Sequence, residues 1–217
     1  MRCEFWTDIS LNQNGDPLNP KLVDFMLMKS RGVDGVCVRK SMGYRQDASF
    51  IRNWTGARAA GLKTTAYVVP FVGYDLVKQL DAAMLGLNPA ELDRPPWVDL
   101  ERAHNFGLAI GTKLAADFLN GWAAALGQKP QVYTSKYLWE TWYSKARGWG
   151  DDWGLVVANY GASIPAIPAG WRYRKDDTPV PTMLAWQGWQ YSADGNGLGA
   201  YFGAHSGSID LSWQKTL

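Results

Sequence analysis

Trp97-Val98-Asp99-Leu100-Glu101 is a short strand-like run closed by two carboxylates two residues apart. Side chains of a strand alternate faces, so Asp99 and Glu101 point one way while Val98 and Leu100 point the other. Acids on one face repel, and their proximity raises the pKa of one relative to the other. A protonated acid beside an ionised one is what cleavage of a glycosidic bond needs. The same two residues could instead be solvated, or paired with Arg39, Arg94 or Arg102, so the rest of the chain decides their meaning.

Outward from this run, short apolar stretches alternate with helical ones. Cys3 to Ile9 reads as a strand ending at Asp8, and Asn19-Pro20 as the N-cap and first turn of a helix carrying Val23, Phe25, Met26 and Met28, stopped by Gly32. Val33 to Arg39 is a second strand, followed by a helix from about Asp47 with Ile51, Trp54 and Ala57 at helical spacing and Gly61 as its stop. Leu62 to Val69, Trp97 to Glu101 and Gln131 to Thr134 read as further strands. Leu76 to Leu85, Gly111 to Leu126 and Lys136 to about Ala146 read as the helices between and after them. Beyond these, Leu155 to Asn159, Thr182 to Trp186 and Ser208 to Leu211 look like strands joined by Pro- and Gly-containing loops. The pattern predicts an α/β fold, an irregular TIM-like barrel of about five β/α units followed by strands with little helix. No linker or repeat divides the chain, so residues 1–217 are expected to form one domain. In such barrels the strand ends ring one mouth, and Asp8, Arg39, Asp99, Glu101 and Asp210 all fall at or near strand ends.

Composition narrows the function classes. The chain has 217 residues, 47% hydrophobic and 19% charged, with a net charge of +2 that is too small to argue for nucleic acid or an anionic membrane, and neither is expected as partner. No apolar run reaches the ~18 residues a membrane span needs. Met1-Arg2-Cys3-Glu4-Phe5 leads directly into the first strand, with no start resembling a signal peptide. Twelve Trp and ten Tyr are the outlier, and their broad faces with a polar edge suit sugar rings. Cys3 and Cys37 read as free thiols. His104 follows Glu101 by three residues, but His205 is the only other histidine, so no metal site is expected. The glycines at 195, 197 and 199 lack the strand-to-helix context of a phosphate loop.

Taken together, these residues resemble the glycoside hydrolase family 25 muramidases. Asp8-Ile9-Ser10-Leu11-Asn12-Gln13 is similar to the motif closing that family's first strand, and Gly32-Val33-Asp34-Gly35-Val36-Cys37-Val38-Arg39 to its second strand. Asp47, Phe50, Asn53, Ala60-Gly61-Leu62 and Ala66-Tyr67 follow its path into the third strand. Trp97 to Glu101 resembles its central acid pair, Val132-Tyr133-Thr134-Ser135 its fifth strand, and Trp189-Gln190-Tyr191-Ser192 with Ile209-Asp210-Leu211 its C-terminal signature. The chain departs from the family where Val68 follows Tyr67 and where Ser212 stands in place of an Asn.

The resemblance implies hydrolysis of the β-1,4 bond between N-acetylmuramic acid and N-acetylglucosamine in bacterial peptidoglycan, by a monomer without cofactor, in the manner of a phage endolysin. Glu101 would be the general acid. Asp99 would keep Glu101 protonated or orient the substrate acetamido group, and Asp8 and Asp210 would hold the charge pattern of the site. Tyr67, Tyr133, Tyr160 and Trp189 are expected to wall the groove, with Arg39 and Gln190 as further substrate contacts. Two other readings compete: a chitinase-like amino-sugar hydrolase, and a glycan-binding barrel without activity. Four clustered acids argue against the second.

Overall fold

A computed structural model describes residues 2–15, 21–71, 73–102, 106–193 and 197–216. In chain order the elements are β1 (Cys3–Ile9), α1 (Phe25–Ser30), β2 (Gly35–Met42), β3 (Arg45–Gln46), α2 (Phe50–Ala59), β4 (Lys63–Val69), α3 (Leu76–Met84), β5 (Trp97–Asp99), α4 (Leu108–Leu126), β6 (Gln131–Thr134), α5 (Lys136–Trp142), β7 (Gly154–Ala158), α6 (Ala169–Arg172), β8 (Gly188–Ser192) and β9 (Asp210–Lys215). The sheet runs β1-β9-β8-β7-β6-β5-β4-β2-β3, and β1 also pairs with β2, which closes eight strands into a barrel. Neighbours from β4 through β8 are parallel, as are β1 with β2 and β2 with β4. Only β9 runs against both of its neighbours, β1 and β8, while β3 folds back on the end of β2 outside the ring.

Strand alternation sorts the side chains into two cores. Val36, Val38, Ala66, Val68, Val98, Leu100, Val132, Leu155 and Val157 pack with helix residues such as Phe50, Trp54, Phe118, Trp122 and Trp139. The opposite faces fill the barrel with Cys37, Trp97, Tyr133, Val156 and Ala158, against which Tyr67 packs. Each large side chain buried in these layers contributes roughly 1.5–3 kcal/mol. Below them the floor holds Trp6, whose Nε1 donates to Glu4 at 3.0 Å. Glu4 pairs with Lys63 and, at 3.1 Å, with Arg94, so its buried carboxylate is compensated.

Local chemistry explains where helices begin and end. Asp24, Asp75 and Ser135 cap α1, α3 and α5 by accepting from the N–H groups of Leu27, Lys78 and Leu138. Gly127 ends α4 in the left-handed conformation, at φ 68°.

The barrel expected from the sequence is present, with several boundaries moved. Asn19-Pro20 and His104 lie outside the described residues, as do residues 195 and 196. The first helix starts at Phe25, behind Asp24, and leaves Met26 exposed; Ile51 is likewise on the outer face of α2. Thr182–Leu184 is a 3-10 turn, not a strand, because Pro181 before it fixes a turn-forming backbone. The strand comes later, where Gly188 to Ser192 alternates buried and half-buried residues. The last strand begins at Asp210 and runs to Lys215 rather than ending at Leu211. Cys3 and Cys37 are free.

Gly35 faces the Trp6 indole so closely that an added Cβ would lie 2.5 Å from its ring. Gly35→Ala is expected to overpack the barrel and cost about 1–3 kcal/mol of stability. A denaturation midpoint equal to that of the unsubstituted protein would show that Trp6 does not fill the floor as described.

Candidate active site

Parallel register brings one ring of side chains to the barrel mouth. Asp8 lies opposite Cys37, Arg39 opposite Tyr67, Asp99 opposite Tyr133, and Ala158 opposite Gln190. The antiparallel β9 completes the ring from the other direction: Asp210, its first residue, lies opposite Asp8. Asp210 therefore reaches the same mouth from a strand start, not from a strand end as the sequence suggested. β5 stops at Asp99, so Glu101 stands two residues beyond the strand, yet Val98 and Leu100 remain buried while Asp99 and Glu101 share the opposite side.

These four acids converge on a cavity of about 300 Å³, walled by Tyr67, Trp97, Tyr133 and Tyr160 and bordered by Gln190 and Ala193. Gln190 is its organising side chain. Its Nε2 donates to Asp8 Oδ2 at 2.8 Å, and its Oε1 accepts from the hydroxyls of Tyr133 and Tyr160, each at 2.7 Å. Asp8 also shares a hydrogen bond with the Asp210 side chain, which opposes the rise of its pKa. Asp99 Oδ1 accepts from the Glu101 N–H at 3.1 Å, fixing the short turn between them. Trp97 and Tyr133 stack at 6.0 Å with a 7° tilt, a flat apolar wall beside the acids.

Burial dominates the electrostatics here. It pushes Asp8 up to about 6, against the pull of hydrogen bonds from Gln190 and Asp210 and the charge of Arg39. Asp99 rises to about 7, first by burial and then by repulsion from Asp8, while the Glu101 N–H and the charges of Arg102 and Arg39 oppose the rise. Glu101 rises furthest, to about 8, through burial and the charges of Asp99 and Asp8; a hydrogen bond with Tyr133 opposes it. The acids titrate together, and Glu101 is the group that loses its proton last.

The site residues expected from the sequence divide into two sets. Asp8, Tyr67, Asp99, Glu101, Tyr133, Tyr160, Gln190 and Asp210 all border the cavity. Arg39 and Trp189 do not, among the described residues. Arg39 is held by Asp47 at 2.8 Å and lines a neighbouring cleft. Trp189 sits on the opposite face of β8 from Gln190, as strand alternation demands, and its Nε1 donates to the Asn159 carbonyl. Trp97 and Ala193 were missed. The same alternation that groups Asp99 with Glu101 places Trp97 on their face, so that signal was readable; nothing in the sequence singles out Ala193. Among the described residues no group of His, Cys, Asp and Glu is arranged to hold a metal ion.

Residues 8–200 match the family described as glycosyl hydrolases family 25. The chain belongs to that family. It is therefore a glycoside hydrolase. No curated protein sequence matches the chain. Among solved structures, the fold is similar to a muramidase from Trichobolus zukalii, at 22% identity and TM-score 0.75, covering 99% of this chain and 95% of that one. It is also similar to a family 25 lysozyme from Aspergillus fumigatus, at 23% identity and TM-score 0.74, covering 100% and 95%. A bacterial lysozyme from Streptomyces coelicolor aligns at 21% identity and TM-score 0.74, covering 100% and 94%. At these identities the structural likeness shows the fold.

In this family 25 chain the raised carboxyls have a cost to the fold. A carboxyl whose folded pKa lies above its unfolded value stabilises at low pH and loses that contribution as pH rises. The loss runs from about 4 through about 8 for Asp99 and Glu101. Asp99→Asn is thus expected to raise the melting temperature at pH 8 by more than it changes it at pH 4. Equal shifts at both pH values would show that Asp99 is not held in a desolvated, like-charged setting.

Proposed function

We propose that the protein is an N-acetylmuramidase that cleaves the β-1,4 bond between N-acetylmuramic acid and N-acetylglucosamine in bacterial peptidoglycan. The observation that carries this reading is the cavity that brings Asp8, Asp99, Glu101 and Asp210 together, with Glu101 raised above Asp8 and Asp99. Glu101 protonates the glycosidic oxygen as the bond breaks. The acetamido oxygen of the sugar on the other side of the bond attacks its own anomeric carbon, and the ionised Asp99 accepts the acetamido N–H and offsets the positive charge of the cyclic intermediate. Water then opens that intermediate and gives its proton to the Glu101 carboxylate, which restores the starting state. Asp8, with Asp210 hydrogen-bonded to it, places negative charge near the developing cation. Tyr67, Trp97, Tyr133 and Tyr160 supply apolar faces and hydroxyl edges for the sugar rings.

The same proposal treats residues 1–217 as one catalytic domain, supported by a core that runs continuously from Ile9 to Leu211. It acts as a monomer at the bacterial cell wall, carried or released there as a lysin, with neither nucleic acid nor membrane as partner. The net charge of +2 is too small to favour nucleic acid or an anionic membrane.

Glu101→Gln is nearly isosteric but cannot donate a proton. Its turnover of purified peptidoglycan should fall by more than the ~10²-fold typical of a general acid, with folding and glycan binding retained. Wall clearing within a few-fold of the unsubstituted enzyme would sink the assignment. Mass spectrometry of the products should find muramic acid at the new reducing ends; N-acetylglucosamine there would exclude a muramidase.

The pH–rate profile should be bell-shaped, its acid limb set by ionisation of Asp8 and Asp99 and its alkaline limb by loss of the Glu101 proton. Asp99→Asn removes a like charge, so the alkaline limb of the residual activity should move to lower pH. A limb that stays in place would show that Asp99 does not raise Glu101, leaving burial and the charge of Asp8 to hold the proton.

A further inference from the structure

A second cavity, of about 390 Å³, opens on the same mouth between the β2–β3 turn and the end of β4, lined by Arg39, Met42, Tyr44, Arg45, Phe71 and Tyr74 among others. It adjoins the acid cavity through β4, because Arg39 lies in register with Tyr67. We propose that this cleft is a subsite for the carboxylate-bearing peptide stem of peptidoglycan, which rests on the muramidase reading above.

The charge pattern carries the argument. Asp47, the one acid lining the cleft among the described residues, is already satisfied: Oδ2 accepts from Arg39 Nε at 2.8 Å and from the Leu11 N–H at 3.0 Å, and Oδ1 accepts from the Ser49 N–H at 2.9 Å. Its side chain is fully buried. Arg39 thus spends one of its five donors on Asp47, and its two η nitrogens make no hydrogen bond among the described residues. Arg45 is exposed, and its side chain makes no hydrogen bond or ion pair among the described residues. With Asp47 offset by Arg39, the cleft keeps one net positive charge, carried by Arg45, and the open N–H donors of both guanidinium groups fit a carboxylate. The acid cavity next door has the opposite sign, so an anionic part of the substrate is repelled there and accommodated here.

The aromatic lining fits the remainder of the stem. Tyr44 and Tyr74 stack at 5.6 Å, and Phe71 meets Tyr74 edge-on at 5.1 Å, which gives the aliphatic parts of a short peptide an apolar wall. The stem leaves the muramic ring through its lactyl group. A muramic ring bound over the acids therefore presents its stem to a neighbouring cleft. The lactyl group itself becomes a free carboxylate once the stem is removed, so the two sources of negative charge can be separated by experiment.

Kinetics of Arg45→Glu and Arg45→Gln should be measured on three soluble substrates: glycan strands carrying tetrapeptide stems, the same strands stripped by an amidase, and N-acetylglucosamine oligomers without any carboxylate. On stem-bearing strands KM should rise about tenfold for Arg45→Glu and less for Arg45→Gln, with kcat nearly unchanged and Arg45→Lys restoring most of the loss. On stripped strands neither variant should differ from the parent. An equal loss on stem-bearing and stripped strands would overturn the stem assignment in favour of the lactyl carboxylate or the glycan. No change on any substrate would remove the subsite altogether. Calorimetric binding of a tetrapeptide-bearing disaccharide to Glu101→Gln, with and without Arg45→Glu, should show the same weakening without turnover. Parent enzyme that cleaves neither kind of strand would refute the muramidase reading rather than the subsite.

Discussion

Carboxyl groups that share a desolvated cavity cannot all be ionised, and this constraint organises the barrel mouth. Asp8 and Asp210 resolve it by sharing a hydrogen bond across β1 and β9. Asp99 and Glu101 resolve it by separation in pKa: burial raises both, and Glu101 stays higher because Asp99 adds its charge there while the Glu101 N–H, Arg102 and Arg39 hold Asp99 down. The result is a proton kept on one defined oxygen pair at a pH where its neighbours are charged. No single residue produces this state. It needs the depth of the cavity, the stacked Trp97 and Tyr133, and four acids brought together from three strands and the turn after one of them.

The cations of the mouth are arranged so as not to undo it. Arg39 is near enough to lower both Asp8 and Asp99, but Asp47 holds its Nε and draws it toward the neighbouring cleft. Arg102 likewise lies 5.0 Å over the Phe71 ring. An arginine paired directly with Asp99 would pull its pKa down by one to three units and would offset the charge that raises Glu101. The floor shows the opposite design. There Glu4 is matched by Lys63 and Arg94, and Lys215 is packed 4.0 Å over the Trp186 ring. Charges that carry structure are neutralised; those at the mouth are left in tension, and the two hydrophobic layers offset the cost.

Much of this was legible in the sequence because barrels obey a simple period. The alternation of Val98 and Leu100 with Asp99 and Glu101, and the order of apolar runs and helix stops, are enough to place most strands within a few residues. What escaped depends on three-dimensional closure. Thr182 to Trp186 has the apolar content of a strand, but Pro181 turns it, and the strand follows at Gly188. That β9 runs antiparallel, so that Asp210 opens the strand instead of ending it, is set by pairing with β1 and β8 and has no local signature. Arg39 carries the right charge at the right strand end, yet its partner is Asp47, eight residues on. Trp189 and Gln190 are sequence neighbours with opposite fates, which the period of two could have told.

The central claim is that burial and like charge hold a proton on Glu101. A carboxyl-carbon NMR titration of the ¹³C-labelled protein, compared between the parent and Asp99→Asn, tests it directly. The account expects the Glu101 carboxyl to titrate far above the ordinary 4.5, near 8, as the last acid of the cluster, and to move to lower pH when Asp99 is replaced. A Glu101 carboxyl that titrates near its ordinary value in the parent, or that does not respond to Asp99→Asn, would contradict it.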